Sequence, residues 1–447
     1  MNYEAAVRYL FSLGRELAAP TQASAAKFDL ENITVLTERL GRPDRAYPSV
    51  HIAGTNGKGS TAAFVESILR EAGFRTGLYT SPHLACINER IRIAGEEISD
   101  EVFADVFSRI CELVEELLAQ GKLRAHPTFF ECVTALAFEA FAQSRVDFAV
   151  IEVGLGGRLD ATNIVRPTVS VITRIAFDHE NFLGHSLKEI AAEKAGILKP
   201  AIPAVIAPQE PEALAVIRAR GTEVGAPLIE TEQQFRTENA SFDHGCVRAD
   251  AMEITAGTKV RIAPNLRGRF QLQNALNAVA AARFLQSRGF RIPDRAIEQG
   301  IALAEWPGRL ERLASEPDIY LDGAHNPSAA RELADFLREN LAGRRIRILF
   351  GALRDKAVDE IAGILFPHSE EVVFTDAGTS RAISPTQLAE IAGHHAGHFS
   401  IDPEPSQALE RLLARSMPSD AVFVTGSLYL VGRMREYWKT RAKVAAR

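Results

Sequence analysis

The chain has 447 residues, 46% of them apolar and 24% charged, with a formal net charge of −6. That length calls for two well-cored units rather than one small domain, and the composition is that of a globular protein. The acidic balance excludes a general attraction to nucleic acid, so an acidic ligand would need a local basic pocket. Cys86, Cys111, Cys132 and Cys246 form no CxxC pair and read as reduced, mostly buried thiols of a cytoplasmic protein. Glu4, Arg8, Arg15 and Glu16 interrupt the apolar residues of the opening segment. No signal-peptide core forms there, no stretch is long and apolar enough to span a bilayer, and no membrane association is expected.

Strand-like runs at Ser49–Ala53, Thr76–Tyr79, 147–153 and 169–173 alternate with helical patterns such as 60–72 and 186–199. Such alternation predicts a mostly parallel sheet covered by helices. Between the first strand and the first helix lies His-Ile-Ala-Gly-Thr-Asn-Gly-Lys-Gly-Ser, residues 51–60. Glycines let a backbone curl its N–H groups toward an anion, the helix start adds a favourable dipole, and Lys58 supplies a point charge. Ile52 stands where a strict P-loop has glycine, and Gly59 where it has the magnesium-binding Ser or Thr, so the loop is a variant.

Further along, Ser81, Glu152 and His179 lie at or just beyond predicted strand ends, where open α/β sheets hold ligands. A hydroxyl and a carboxylate suit magnesium; imidazole is a less usual partner. Taken singly, each is as readily a turn hydroxyl, a solvated strand end or a hydrogen-bonded loop histidine. Ser186 and Glu189 form a capping box that starts a helix at Leu187. Lys194 falls on its apolar face with Leu187, Ile190 and Ala191. A lysine so placed must snorkel, pair with a carboxylate, or lose its charge; a neutral amine could add carbon dioxide and become a carbamate.

From about Pro227 to Ala263 short alternating runs predict a few antiparallel strands, and an Ala- and Leu-rich helix follows at 272–287. Pro307-Gly308 marks a joint. Beyond it, strands Asp318–Leu321, 347–350, 371–375 and Ala421–Thr425 alternate with helices starting near Ser328, Lys356, Ser384 and Pro405.

In chain order the segments AGTNGKGS (53–60), TSPHL (80–84), NERI (88–91), FFE (129–131), EVGLGGRLDATN (152–163), DH (178–179), EKAGI (193–197), GRFQLQNA (268–275), WPGRLE (306–311), LDGAHNP (321–327) and GALRDK (351–356) together resemble the folylpolyglutamate synthase/dihydrofolate synthase family of the Mur ligase superfamily. The resemblance implies an α/β fold: a P-loop-type ATPase domain with a mostly parallel sheet, residues 1–305, and a smaller C-terminal Rossmann-like α/β domain, residues 306–447. It implies an ATP-dependent amide ligase adding L-glutamate to folate, with dihydropteroate as an alternative acceptor, through an acyl phosphate. Lys58, Lys194 and His179 would be catalytic. Thr55, Asn56, Gly57, Lys58, Gly59, Ser60, Asn274, Arg309 and Asp322, with His325 beside them, would hold ATP. Ser81, Glu152, His179 and Lys194 as a carbamate would hold Mg2+, two ions in all, with K+ a further candidate. Asp29, Leu30, Glu31, Asn32, Thr128, Phe129, Phe130, Glu131, Leu159, Asp160 and Ala161 would face the pterin.

Arg90, Arg92 and Arg158 are candidates for substrate carboxylates, or members of a solvated loop. Residues 28–32 depart from the family's commonest wording, and Ala357 replaces the acidic residue that usually follows GALRDK, so that segment receives no role. The partners are small molecules and the chain is expected to be a monomer. Two rival readings stand beside this one. A ligase of cell-wall nucleotide precursors would usually carry an additional N-terminal domain. A non-ligase P-loop module would want the strict loop spacing.

Overall fold

The computed structural model describes residues 1–14 and 29–445; Arg15, Glu16 and Phe28 of the readings above lie outside the described residues. Eight strands form the first sheet: β1 Ser49–Ala53, β2 Thr76–Tyr79, β3 Ile91–Ile93, β4 Glu96–Glu97, β5 Phe148–Glu152, β6 Val169–Ile172, β7 Ala204–Ile206 and β8 Leu228–Glu230. Their order is β4-β3-β2-β5-β1-β6-β7-β8. From β2 to β8 all neighbours run parallel, and only β3 and β4 turn antiparallel at one edge.

Both faces of this sheet are covered, so β1 and β5 are buried throughout and show apolar runs rather than alternation. Val50, Ile52, Phe148 and Val150 pack against the helices Lys58–Glu71 and Phe270–Ser287. Tyr79, Ala149 and Ile151 pack on the other face against Asp100–Ala119 and Phe129–Gln143.

A small antiparallel sheet follows, made of β9 Phe235–Asp243, β10 Cys246–Glu253 and β11 Lys259–Ile262. The antiparallel stretch therefore begins later than Pro227. Leu228–Glu230 joins the first sheet instead, in parallel register with β7; three residues are too few to carry a pattern, and the neighbouring ladder decides.

The third sheet holds β12 Glu311–Ala314, β13 Asp318–Leu321, β14 Ile346–Phe350, β15 Glu371–Phe374, β16 Phe399–Ile401 and β17 Ala421–Thr425 in the order β12-β13-β17-β14-β15-β16. All but β12 are parallel. Ile348, Phe350, Phe374 and Phe423 form its core against the helices Pro327–Asn340 and Val358–Leu365.

Leu84, from the loop after β2, packs with Val431 and Met434 of the C-terminal helix Leu428–Ala445. Gly432 leaves the room: a side chain there would run into the Leu84 carbonyl. Residues at the carboxyl ends of strands in both large sheets line one cleft, the place where such sheets bind ligands. Among the described residues no helix is long and apolar enough to cross a membrane. All four cysteines are free; only Cys86 is exposed.

Candidate active site

The loop between β1 and the helix Lys58–Glu71 is fixed by its own backbone. Thr55 N and Asn56 N donate to the Arg174 carbonyl at 3.0 and 3.2 Å. Gly57 has φ +87° and precedes the helix, a conformation that L side chains resist. A Cβ there would also collide with the Asn274 amide. Lys58 is the first helical residue, two positions earlier than expected, and its Nζ donates to the Gly54 and Thr55 carbonyls at 3.2 Å each.

The second departure from the strict P-loop pattern, at Gly59, has a steric reason. A Cβ on Gly59 would stand 2.7 Å from the Trp306 indole, so the joint between the two large sheets fills the space that a Ser or Thr would need. Ser60 faces Gln271, whose Nε2 lies 3.4 Å from its Oγ, and Gln271 Oε1 accepts from Asn274 Nδ2 at 3.0 Å. Asn274 thus reaches the loop from the helix Phe270–Ser287.

Opposite the loop, Glu152 ends β5 with its side chain buried. Burial raises its carboxyl, and Lys58, the Ser81 amide and Arg309 oppose that rise. Ser81 N donates to its Oε2 at 3.1 Å. Arg309, half-buried, lies near Glu152 and Asp322, and desolvation lowers its pKa against the pull of both carboxylates. Asp322, just past β13, accepts from Leu310 N and Ala324 N at 2.9 Å each. It braces the turn rather than capping the next helix, a task that Asn326 performs.

The capping box of Ser186 and Glu189 forms as read, and the helix is Leu187–Ala195. Lys194 neither snorkels nor meets a carboxylate within ion-pair range among the described residues. It is 4% exposed, and its Nζ donates to the Gly54 carbonyl at 2.9 Å. Burial, then the charge of Lys58, lowers it to about 7. His179 stands before a short helix with φ +52°. Burial lowers its ring to about 4, and its Nδ1 makes no hydrogen bond among the described residues.

Two cavities meet here. One, of 540 Å³, is lined by the residues 54–60 together with Ser81, Glu152, His179, Lys194, Asn274, Arg309, Asp322 and His325. Its neighbour, of 640 Å³, is lined by Asp29, Glu31, Asn32, Thr128, Phe130, Glu131, Leu159, Asp160 and Ala161. Ser81, His179 and His325 border both.

Two expected pterin-side residues do not line this second cavity. Phe129 is buried in the core beneath the Arg90 guanidinium, 5.4 Å from its ring centroid, and Leu30 packs on the same core. Successive residues at a helix start point in different directions, so each faces inward while its neighbours face the cavity. Of the three arginines, Arg158 alone lines the cavity, paired with Glu193 at 2.8 Å. Arg90 donates to His83 Nδ1 at 2.8 Å, and Arg92 pairs with Glu97 at 3.5 Å.

Sequence reasoning left Lys356 without a role, yet its Nζ donates to Asp178 Oδ1 at 2.6 Å inside the cleft. The available signal was position: Lys356 follows the carboxyl end of β14 as Ser81 follows that of β2. Arg381, which also lines the larger cavity, carried no such signal.

Residues 52–282 match the Mur ligase middle domain, and residues 308–428 match the Mur ligase glutamate ligase domain. Fold and cleft are those of a Mur-type ATP-dependent ligase. The chain is 37% identical over 416 residues to the dihydrofolate synthase/folylpolyglutamate synthase of Bacillus subtilis, covering 90% of this chain and 93% of that one. A Mycobacterium tuberculosis folylpolyglutamate synthase complexed with ADP superposes with a TM-score of 0.89 at 33% identity, over 98% of each chain. The E. coli FolC in complex with DHPP and ADP gives 0.86 at 30%, over 99% of each. The chain belongs to the folylpolyglutamate synthase/dihydrofolate synthase family. That membership displaces both rival readings.

Proposed function

We propose that the chain joins L-glutamate to a folate at the expense of ATP, with dihydropteroate as a second acceptor to be tested. The carrying observation is the pair of adjoining cavities, one on the Lys58 loop and one on the Thr128–Asp160 side, bordered jointly by Ser81, His179 and His325. The ligands bound to the relatives, ADP on the one hand and DHPP on the other, support a nucleotide in the first and a pteridine acid in the second. In this reading residues 1–305 form the ATP-binding unit and 306–447 the C-terminal one.

ATP phosphates would lie on Thr55, Asn56, Gly57, Lys58, Gly59 and Ser60, with Asn274, Arg309, Asp322 and His325 closing the site. The substrate carboxylate attacks the γ-phosphorus, the bond to ADP breaks, and an acyl phosphate forms. Lys58 offsets charge on the transferring group, where positioning and electrostatics dominate. The amine of L-glutamate then adds to the acyl carbon, and the tetrahedral intermediate expels phosphate to leave the amide. The C-terminal unit keeps water from the acyl phosphate.

Magnesium, expected as two ions, fits the donor set of this cleft: the Ser81 hydroxyl, the Glu152 carboxylate, and a His179 ring whose Nδ1 makes no hydrogen bond among the described residues. When bound it would offset phosphate charge as a Lewis acid. Lys194, buried with a carbonyl as its one hydrogen-bond partner among the described residues, suits conversion to a carbamate. Its neutral amine adds to carbon dioxide, loses a proton, and becomes an anionic oxygen donor. Phe130, Glu131, Leu159, Asp160 and Ala161, with Asp29, Glu31, Asn32 and Thr128, would hold the pterin. A monomer in the cytoplasm completes the reading, and the four free thiols support that setting.

The test is ADP formation with magnesium, ATP and L-glutamate against dihydropteroate, tetrahydrofolate and a folate diglutamate. Glutamate-dependent turnover with at least one is expected. Turnover that requires a different acid and amine would overturn the substrate assignment.

A further inference from the structure

Asp178 and Lys356, given no part in the chemistry above, lie at the centre of a buried ionic cluster. Asp178 lies beyond the carboxyl end of β6, with its side chain 9% exposed, and three side chains from the C-terminal part of the chain converge on it. Lys356 Nζ donates to Oδ1 at 2.6 Å. Asn326 Nδ2 reaches Oδ2 at 3.1 Å, and His325 Nε2 lies 3.4 Å from the same oxygen.

Two further contacts tie the cluster to the site. Asn326 caps the helix Pro327–Asn340, accepting from Ala329 N at 2.8 Å, and its amide pairs with that of Asn56 on the phosphate loop at 3.0 and 3.4 Å. Lys356 Nζ also sits 3.4 Å from His179 Nε2.

We infer that Asp178 and Lys356 are the positioning pair that seats the C-terminal unit on the phosphate loop, so that acyl phosphate meets amine before it meets water. A buried charge pair adds little net stability over separated, hydrated charges, but it penalises any docking that leaves one charge without the other. It therefore selects one arrangement of the two units. Because Asp178 precedes His179, and Asn326 touches Asn56, that arrangement also fixes the imidazole and the loop. With the pair broken, water adds to the acyl carbon, phosphate leaves, the starting acid returns, and ATP is spent without an amide.

This inference rests on the ligase reading under Proposed function, and the experiment separates the two. Full-length wild type, Lys356→Met and Lys356→Arg are assayed for ADP and amide in the same tube, with kcat and KM for ATP, after melting curves confirm folding. Wild type is expected to form ADP and amide in equal amounts. Lys356→Met should keep KM for ATP within about threefold, lose about 10²-fold in amide kcat, and release more ADP than amide. Lys356→Arg should recover most of the coupling. If Lys356→Met does not fold, Lys356→Gln is read in the same way. Variants with wild-type kcat and equal ADP and amide, or a loss confined to KM for ATP, overturn the positioning role. A wild type without folate- and glutamate-dependent ADP formation overturns the ligase reading instead.

Discussion

Lys194 shows how far a single residue can be read. Its place on an apolar helix face was legible; its partner, the carbonyl of Gly54, lies 140 residues away, and no local pattern points there. The carbamate role predicts that Lys194→Ala loses about 10²-fold or more in kcat and regains part of it with added formate or acetate. An unimpaired mutant removes that role. His51 carries a second prediction. It is fully buried on β1, with Nε2 2.9 Å from Thr162 Oγ1, and burial, then the charge of Lys199, lowers it to about 3 from 6.5. Between those values the unfolded chain binds a proton that the folded one refuses. Stability is therefore present above the unfolded value and lost as pH falls below it, by up to about 1.4 kcal/mol per pH unit. His51→Gln should flatten the fall in melting temperature between pH 6.5 and 4 relative to wild type; parallel curves would show that His51 does not titrate this way.

At the scale of elements, β1, β2, β13 and β17 were legible to the residue, because apolar β-branched runs bounded by turn residues are a strong local signal. β4 has two residues, and β7 and β16 have three each; strands that short owe their existence to a neighbour's ladder, which sequence periodicity does not contain. The 54–60 loop was legible as a departure from the strict P-loop pattern, but not for its cause, since Trp306 comes nearly 250 positions later. The cause gives a prediction. Gly59→Ser should force the indole aside, lower stability by about 1–3 kcal/mol, and raise KM for ATP, while Trp306→Ala in the same chain should relieve part of the loss in stability. A Gly59→Ser protein with unchanged melting and unchanged KM would show that the indole does not exclude a side chain there.

For the whole molecule, the division into an ATP-loop sheet and a second sheet was read from the Pro307-Gly308 joint, but the docking between them was not. It depends on long-range pairs such as Arg174 with Glu332 at 3.2 Å and Leu84 against the C-terminal helix. Because residues before and after the Pro307-Gly308 joint line the cavity proposed for the nucleotide, a non-hydrolysable ATP analogue with magnesium should stabilise the chain as a whole. At a hundredfold over its Kd the gain is about 2.7 kcal/mol, visible as one transition moved upward by several degrees. Two transitions, with only one of them shifted, would mean that the units bind separately.

The acyl-phosphate route is tested most directly by isotope transfer. A folate whose reacting carboxylate carries oxygen-18 is turned over with ATP and L-glutamate, and the released phosphate is weighed by mass spectrometry. The account predicts one labelled oxygen in each phosphate formed with an amide. Unlabelled phosphate alongside normal amide formation would contradict it.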